Sequence, residues 1–340
     1  IDNYKLDLSL EKLKYLMDSE KSSFSKLRSI IKKSHNLKVT IIGDTILDEK
    51  IDCEAIDGMH KTPTLSLVEK NMEKSTGGAA VVAKHFAQIV KKVNLISIIG
   101  NDYAGKYIKN DLKKNKISFS FFKENNRDTT IKKSYWANNH KLIKINKVKN
   151  ESVDNEILEK ICNQIKKNKD SDIFVLSDFR HGIFNKFNND IIFNLINKKK
   201  FKVADSQIAS RWGNITEFKN FDFIAPTEKE ARISLMEQDI PVRPLSDLLL
   251  KKTNANNLIL KLGPNGLIAL DKKRQAYIVL DSFADNIIDS TGAGDALLAY
   301  STISLYLTNS LTIASILGNI AAACACETSN NEQVTKKMMI

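Results

Sequence analysis

The sequence predicts an α/β domain built on a doubly wound, mostly parallel sheet flanked by helices. Three observations carry this prediction. Short apolar runs rich in β-branched residues alternate with helix-like segments along most of the chain. Those runs are continuously apolar, as strands covered on both faces are. Asp44, Asp178 and Asp205 each stand at the end of such a run, the edge where open α/β sheets receive ligands. A hydrophobic content of 42% in 340 residues supplies a sizeable core.

Residues 1–36 read as helical, with Leu6, Leu10, Leu13 and Met17, then Phe24, Leu27, Ile30 and Ile31, at helical spacing. KVTIIGD (38–44) is the first buried strand, followed by VNLISIIG, DIFVLSD, FKVAD and FDFIAP. AAVVAKHFAQIV, YIKNDLKKN, NEILEKICNQIKK and KFNNDIIFNLINK are the helices between them. TLSLVEK (64–70), TTIKKSYWA and KLIKINKV (129–148) break the alternation and read as half-polar antiparallel strands of a small accessory sheet. LILKLGPNGLIAL is a strand pair about a Gly-Pro-Asn-Gly turn. The expected division is an N-terminal arm over 1–37, one domain over 38–330 with lid segments at about 49–72 and 128–148, and a tail over 331–340.

The net charge of +12 is spread over lysines beside asparagines and isoleucines, with no arginine–aromatic interleaving, so a nucleic-acid partner is not expected. No apolar stretch has the length to span a bilayer, and the N-terminus lacks the apolar run of a signal peptide. The expectation is a cytoplasmic protein without a membrane partner. Cys53, Cys162, Cys324 and Cys326 form neither a disulfide framework nor a zinc spacing.

The strongest chemical signal is Asp289-Ser290-Thr291-Gly292-Ala293-Gly294-Asp295-Ala296, followed by a long apolar helix. Three small residues at a helix start leave backbone N–H groups open, and the helix dipole makes them an anion hole. A carboxylate in the first turn, Asp295, can take a proton from a hydroxyl aimed at the same anion. Alone, the run is an ordinary Gly-rich helix start. No GxxxxGK[ST] is present, which excludes a P-loop.

DSTGAGDA resembles the second signature of the PfkB, or ribokinase-like, carbohydrate kinases, and the likeness extends over most of 38–328. TGGAAVVA (76–83) resembles the first signature, GNDYAG (100–105) the turn after the next strand, and KLGPNG (261–266) the nucleotide-side hairpin. GDTILD (43–48), NHKLIK (139–144) and SDFRHG (177–182) resemble segments of the heptose-phosphate kinases of that family. The resemblance implies a ribokinase-like fold with a small β lid. It implies Asp295 as base, Gly292, Ala293 and Gly294 as anion hole, and Asp44, Gly77 and Gly78 at the sugar. It places Lys261, Gly263, Gly266 and Asn319 near the nucleotide, and Thr227 and Glu230 in the Mg2+ and phosphate network. Asp289 and Thr291 fall near a monovalent-cation (K+) site. Asp48 reads either as a sugar ligand or as a strand end, and Lys61 as a phosphate partner or a solvated loop residue. Arg180 and His181, at a strand end on the ligand edge, are candidate substrate contacts. The chain departs from the family with Thr227 and Val81 where asparagine is usual, and from the heptose kinases with His181 where lysine is usual.

The expected function is transfer of the ATP γ-phosphoryl group, with Mg2+, to a hydroxyl of a sugar or sugar phosphate. A heptose 7-phosphate is the first choice. A free sugar or nucleoside is the alternative substrate, and a non-catalytic sugar- or nucleotide-binding protein the alternative class. A homodimer through the lid is expected from the resemblance.

Overall fold

A computed structural model describes residues 2–56, 65–208, 211–328 and 332–339. Helices α1 (Asp2–Ser19) and α2 (Phe24–Lys33) come first. Ser23 caps α2 by accepting from the Lys26 N–H, and Leu27, Ile30 and Ile31 turn its apolar face into the core against a later helix. Strand β1 (Lys38–Gly43) leads into β2 (Thr45–Ile56) and β3 (Ser66–Gly78), then α3 (Ala79–Ala87), β4 (Lys92–Ile98), α4 (Tyr103–Lys114) and β5 (Ser118–Phe122). Next come β6 (Thr130–Ala137), β7 (His140–Lys147), α5 (Asn155–Lys167), β8 (Ile173–Asp178), α6 (Asn188–Leu195), β9 (Phe201–Ser206) and β10 (Phe223–Ile224). The chain ends with α7 (Glu228–Leu235), α8 (Val242–Thr253), β11 (Asn257–Lys261), β12 (Leu267–Asp271), β13 (Ala276–Leu280), α9 (Ala293–Thr308) and α10 (Leu311–Cys326).

Nine strands form the main sheet in the order β13-β12-β11-β10-β9-β8-β1-β4-β5. All neighbours are parallel except the β11–β12 and β12–β13 pairs. Because successive side chains point to opposite faces, Ile41 joins the core covered by α2, α3, α4, α9 and α10, and Ile42 the core covered by α5, α6, α7 and α8. Winding runs from β1 out to β5, then returns to β8 on the other side of β1 and continues to β13. The reversal between β1 and β8 opens a crevice at their carboxyl ends.

The second sheet has the order β3-β2-β6-β7. Here the structure corrects the sequence reading twice. β3 is not a short strand over 64–70 but continues to Gly78, paired along its length with β2, which was not anticipated. The charged run DEKIDCE masks the alternation of β2. The sheet is also not wholly antiparallel, since β2 and β6 run parallel. His60, Lys61 and the rest of 57–64 lie outside the described residues.

Buried Arg127 fastens the loops near the crevice. It pairs with Glu124 and donates to the carbonyls of Lys149 (2.9 Å), Glu151 (2.9 Å) and His181 (3.0 Å). Replacing it would strand a buried carboxylate and these carbonyls. Arg127→Ala should therefore lower folding stability by about 3–5 kcal/mol, read from chemical denaturation.

Candidate active site

The site is built around the start of α9. Gly292 is its N-cap in the left-handed region (φ +83°), where a side chain would be strained. Asp289 shapes the approach, its Oδ1 accepting from Thr291 N–H (2.9 Å) and Thr291 Oγ1 (2.6 Å). Gly294 and Asp295 fall in the first turn, where amides lack acceptors within the helix. Asp295 as a whole is partly exposed, but its Oδ1 is cut off from solvent and has no hydrogen-bond partner among the described residues. Burial and the charge of Asp205 push its carboxyl up to about 7, against the pull of Lys261.

Lys261, the last residue of β11, reaches under this turn. Its Nζ is 3.5 Å from Asp205 Oδ1 and 3.3 Å from where a Cβ on Gly294 would stand. Burial works against the ammonium, but Asp205, Glu230 and Asp295 outweigh it and hold its pKa above the ordinary value. Glu230 is raised, by burial and then by Asp205. Four elements thus converge on one spot: the ends of β9 and β11 and the starts of α7 and α9.

A second group of carboxylates lies toward the small sheet. Asp44, just past β1, is buried, and its Oδ2 accepts from the N–H groups of Phe179 and His181, both at 3.1 Å. Its Oδ1 has no partner among the described residues. Asp48, on β2, lies over Gly77, whose missing side chain leaves room for the carboxylate. Gly78, at φ +62°, starts α3 against the Asp44 carbonyl. Burial raises the Asp48 pKa while Lys132, Lys144 and Lys141 oppose it. Lys132, facing Asp48 across the β2–β6 register, stands 5.1 Å over the Phe179 ring. Its pKa is lowered, first by burial, with Asp48, Asp44 and Asp295 among the groups acting on it. Burial lowers His181 also, beside Asp44.

Lys132 and Asp205 belong to this centre although sequence reasoning gave neither a definite role. The sequence places Asp205 at a parallel strand end, and it offers Lys132 either as a phosphate partner on the lid or as a solvated lysine, the latter favoured. Other expected residues have structural partners of their own. The Arg180 guanidinium pairs with Asp178 (3.0 Å) and Glu217 (2.8 Å), so its charge helps hold the β8 loop. Asp178 is pushed up to about 7 by burial even so. Gly266 is conformational: φ is +82°, and a Cβ would meet the Leu280 carbonyl at 2.0 Å, whereas Gly263 faces open space. Thr227 and Glu230 form a reciprocal capping box on α7. Asn319 donates to the Asp281 carbonyl at 2.7 Å, tying α10 to the loop after β13. Open depressions of about 560 and 670 Å3 near Asn150 and Arg211 are lined by none of Asp44, Asp205, Glu230, Lys261 or Asp295. A smaller hollow does reach Asp44 and His181, so chemistry locates the site more than volume does.

A reversal-point crevice, a small sheet above it, and a Gly-rich helix start with a buried first-turn carboxyl define a sugar phosphotransferase of the ribokinase-like fold. The pfkB family carbohydrate kinase pattern matches residues 36–337, and the chain belongs to that family. Among curated relatives, the bifunctional protein HldE of Aliarcobacter butzleri is 28% identical over 295 residues, 84% of this chain and 60% of its own length. The HldE of Helicobacter pylori (strain J99) is 25% identical over 292 residues, 84% of this chain and 62% of its own. The chain thus spans about 60% of the length of these relatives. Solved folds agree: phosphofructokinase-2 from Escherichia coli in complex with substrates and products superposes with a TM-score of 0.73 at 15% identity, covering 89% of this chain and 97% of that one. Ribokinase from Thermotoga maritima gives 0.72 at 19% identity, covering 89% and 98%.

The two glycines of the helix start differ in what they require. Gly292→Ala meets a positive φ and should cut kcat at least roughly ten-fold by turning the amides. Gly294→Ala has an ordinary φ and meets only the flexible end of Lys261, so its loss should be smaller. Steady-state ADP release from both variants makes the comparison.

Proposed function

We propose that this carbohydrate kinase transfers the γ-phosphoryl group of ATP to the anomeric hydroxyl of a heptose 7-phosphate. The observation that carries the mechanism is the solvent-shielded, unpartnered Asp295 oxygen in the first turn of α9. A carboxyl near neutral pKa is matched to general-base work. The sugar oxygen forms its bond to phosphorus as the bond to the ADP oxygen breaks, and the hydroxyl proton passes to Asp295. Open amides of the α9 start lie where they would oppose the charge on the transferred group. The free Oδ1 of Asp44 is an acceptor for a sugar hydroxyl, and the Gly77 and Gly78 backbone leaves room beside it.

Among the described residues no three His, Cys, Asp or Glu side chains are grouped to hold a metal directly. Mg2+ would ride on the nucleotide phosphates with waters and one or two carboxylates, as is usual for that ion; Asp205 and Glu230 are the nearest to offer. A monovalent cation would belong at the Asp289–Thr291 turn. The small sheet would close as a lid and exclude water. Its edge strand β7 carries half-exposed Ile143 and Ile145, a surface suited to pairing two copies, as expected for a lid-to-lid homodimer. No described helix is long and apolar enough to cross a membrane.

The heptose phosphate reading rests on the HldE relatives and on the lid lysines. Lys132 and Lys144, near Asp48, are cations among the described residues that could meet a substrate phosphate, while Lys61 lies outside those residues.

Two measurements test this reading. Asp295→Asn should lower kcat by roughly two orders of magnitude or more. In the unaltered protein Asp295 must be ionised, so kcat/KM should be full above about 7 and decline as pH falls through that value; a flat profile with an active Asn variant would remove Asp295. In an ADP-release screen, heptose 7-phosphate should exceed free hexoses, ribose and adenosine. Lys132→Ala and Lys144→Ala should then cost about ten-fold or more on the phosphosugar alone. A higher kcat/KM for a free sugar would leave no phosphate pocket.

A further inference from the structure

We propose that Lys261 is a catalytic residue that binds the transferred phosphoryl group together with the free amides at the start of α9. This deepens the kinase reading and rests on it. An ammonium has three N–H donors. Lys261 is 9% exposed, yet its ammonium makes one hydrogen bond, at 3.5 Å, to Asp205 Oδ1. Two of its donors therefore have no acceptor among the described residues. A buried cation left so incompletely bonded is costly. The deficit is met if an acceptor-rich anion belongs beside it.

The position agrees with that demand. Lys261 Nζ would lie 3.3 Å from a Cβ on Gly294, so the ammonium borders the same small volume as the open amides of the α9 start. Glycine at 294 keeps that volume clear. Asp205, Glu230 and Asp295 surround the ammonium. They hold it charged but supply only the one long hydrogen bond. During transfer, charge on the phosphoryl oxygens would meet both the amides and Lys261. The bond from phosphorus to the ADP oxygen breaks, the bond to the sugar oxygen forms, the proton goes to Asp295, and Lys261 neither gains nor loses one. The competing role is an internal counter-ion for the carboxylates, with no ligand contact.

The experiment compares affinities for ADP and for adenylyl imidodiphosphate by calorimetry on the full chain, together with kcat. In the unaltered protein the analogue should bind more tightly than ADP. Lys261→Met should leave ADP binding within about three-fold, erase most of the analogue's advantage, and lower kcat by roughly 100-fold. If that variant does not fold, Lys261→Gln carries the same readouts. The Lys261→Met/Asp205→Asn pair removes the carboxylate stranded by the first change, and it should still lack the analogue preference. An unchanged analogue-to-ADP ratio in the single variant, a ratio restored in the double variant, or equal affinities in the unaltered protein would each overturn the proposal. Failure of the unaltered protein to release ADP with every sugar and sugar phosphate would instead sink the kinase reading, while the binding ratio still judges Lys261.

Discussion

Asp44 is the point on which the crevice depends. Its carbonyl accepts the first amide of α3 at 2.9 Å, and its carboxylate accepts two amides from the loop after β8. One residue thereby joins β1, the small sheet's exit into α3, and the neighbouring strand across the winding reversal. The close approach leaves no room for side chains: a Cβ on Gly43 would meet the Ser177 carbonyl at 2.2 Å, and one on Gly78 the Asp44 carbonyl at 2.3 Å. Glycine at these positions is what lets the backbone close around a buried acid.

Around that junction the protein accumulates carboxylates that it does not fully neutralise. Asp44, Asp48, Asp178, Asp205, Glu230 and Asp295 are set against Lys132, Arg180 and Lys261. Burial raises Asp178 and Asp295 to about 7 because desolvation outweighs their cation partners. The division of labour among the cations is unequal. Arg180 is locked by two carboxylates and serves the loop, whereas Lys132 and Lys261 face the crevice with donors to spare. A site of this kind is costly to fold and is matched to a polyanionic, cation-bearing ligand that completes it.

The departures from the family pattern acquire a physical meaning in this setting. Thr227, where asparagine is usual, closes a capping box with Glu230 and stabilises the α7 start. His181, where the heptose kinases have lysine, is buried beside Asp44 and held toward its neutral form. Lys132 stands close enough to act on it electrostatically.

Much of this protein was determined locally and could be read as a string. KVTIIGD announces a buried strand ending in an acid, and DSTGAGDA announces an amide-lined helix start with a first-turn carboxylate, because strand burial and helix capping depend on near neighbours. Tertiary structure decided the rest. Asp205 and Lys261 meet across 56 residues of chain, and Glu217 claims Arg180 from 37 residues away. β2 is a strand because β3 and β6 flank it, despite its charged sequence. Lys132 differs from dozens of similar lysines only in the wall it faces. Pairing, burial and the electrostatics they create arise from long-range contacts, and no local pattern of residues encodes which lysine will be the one enclosed.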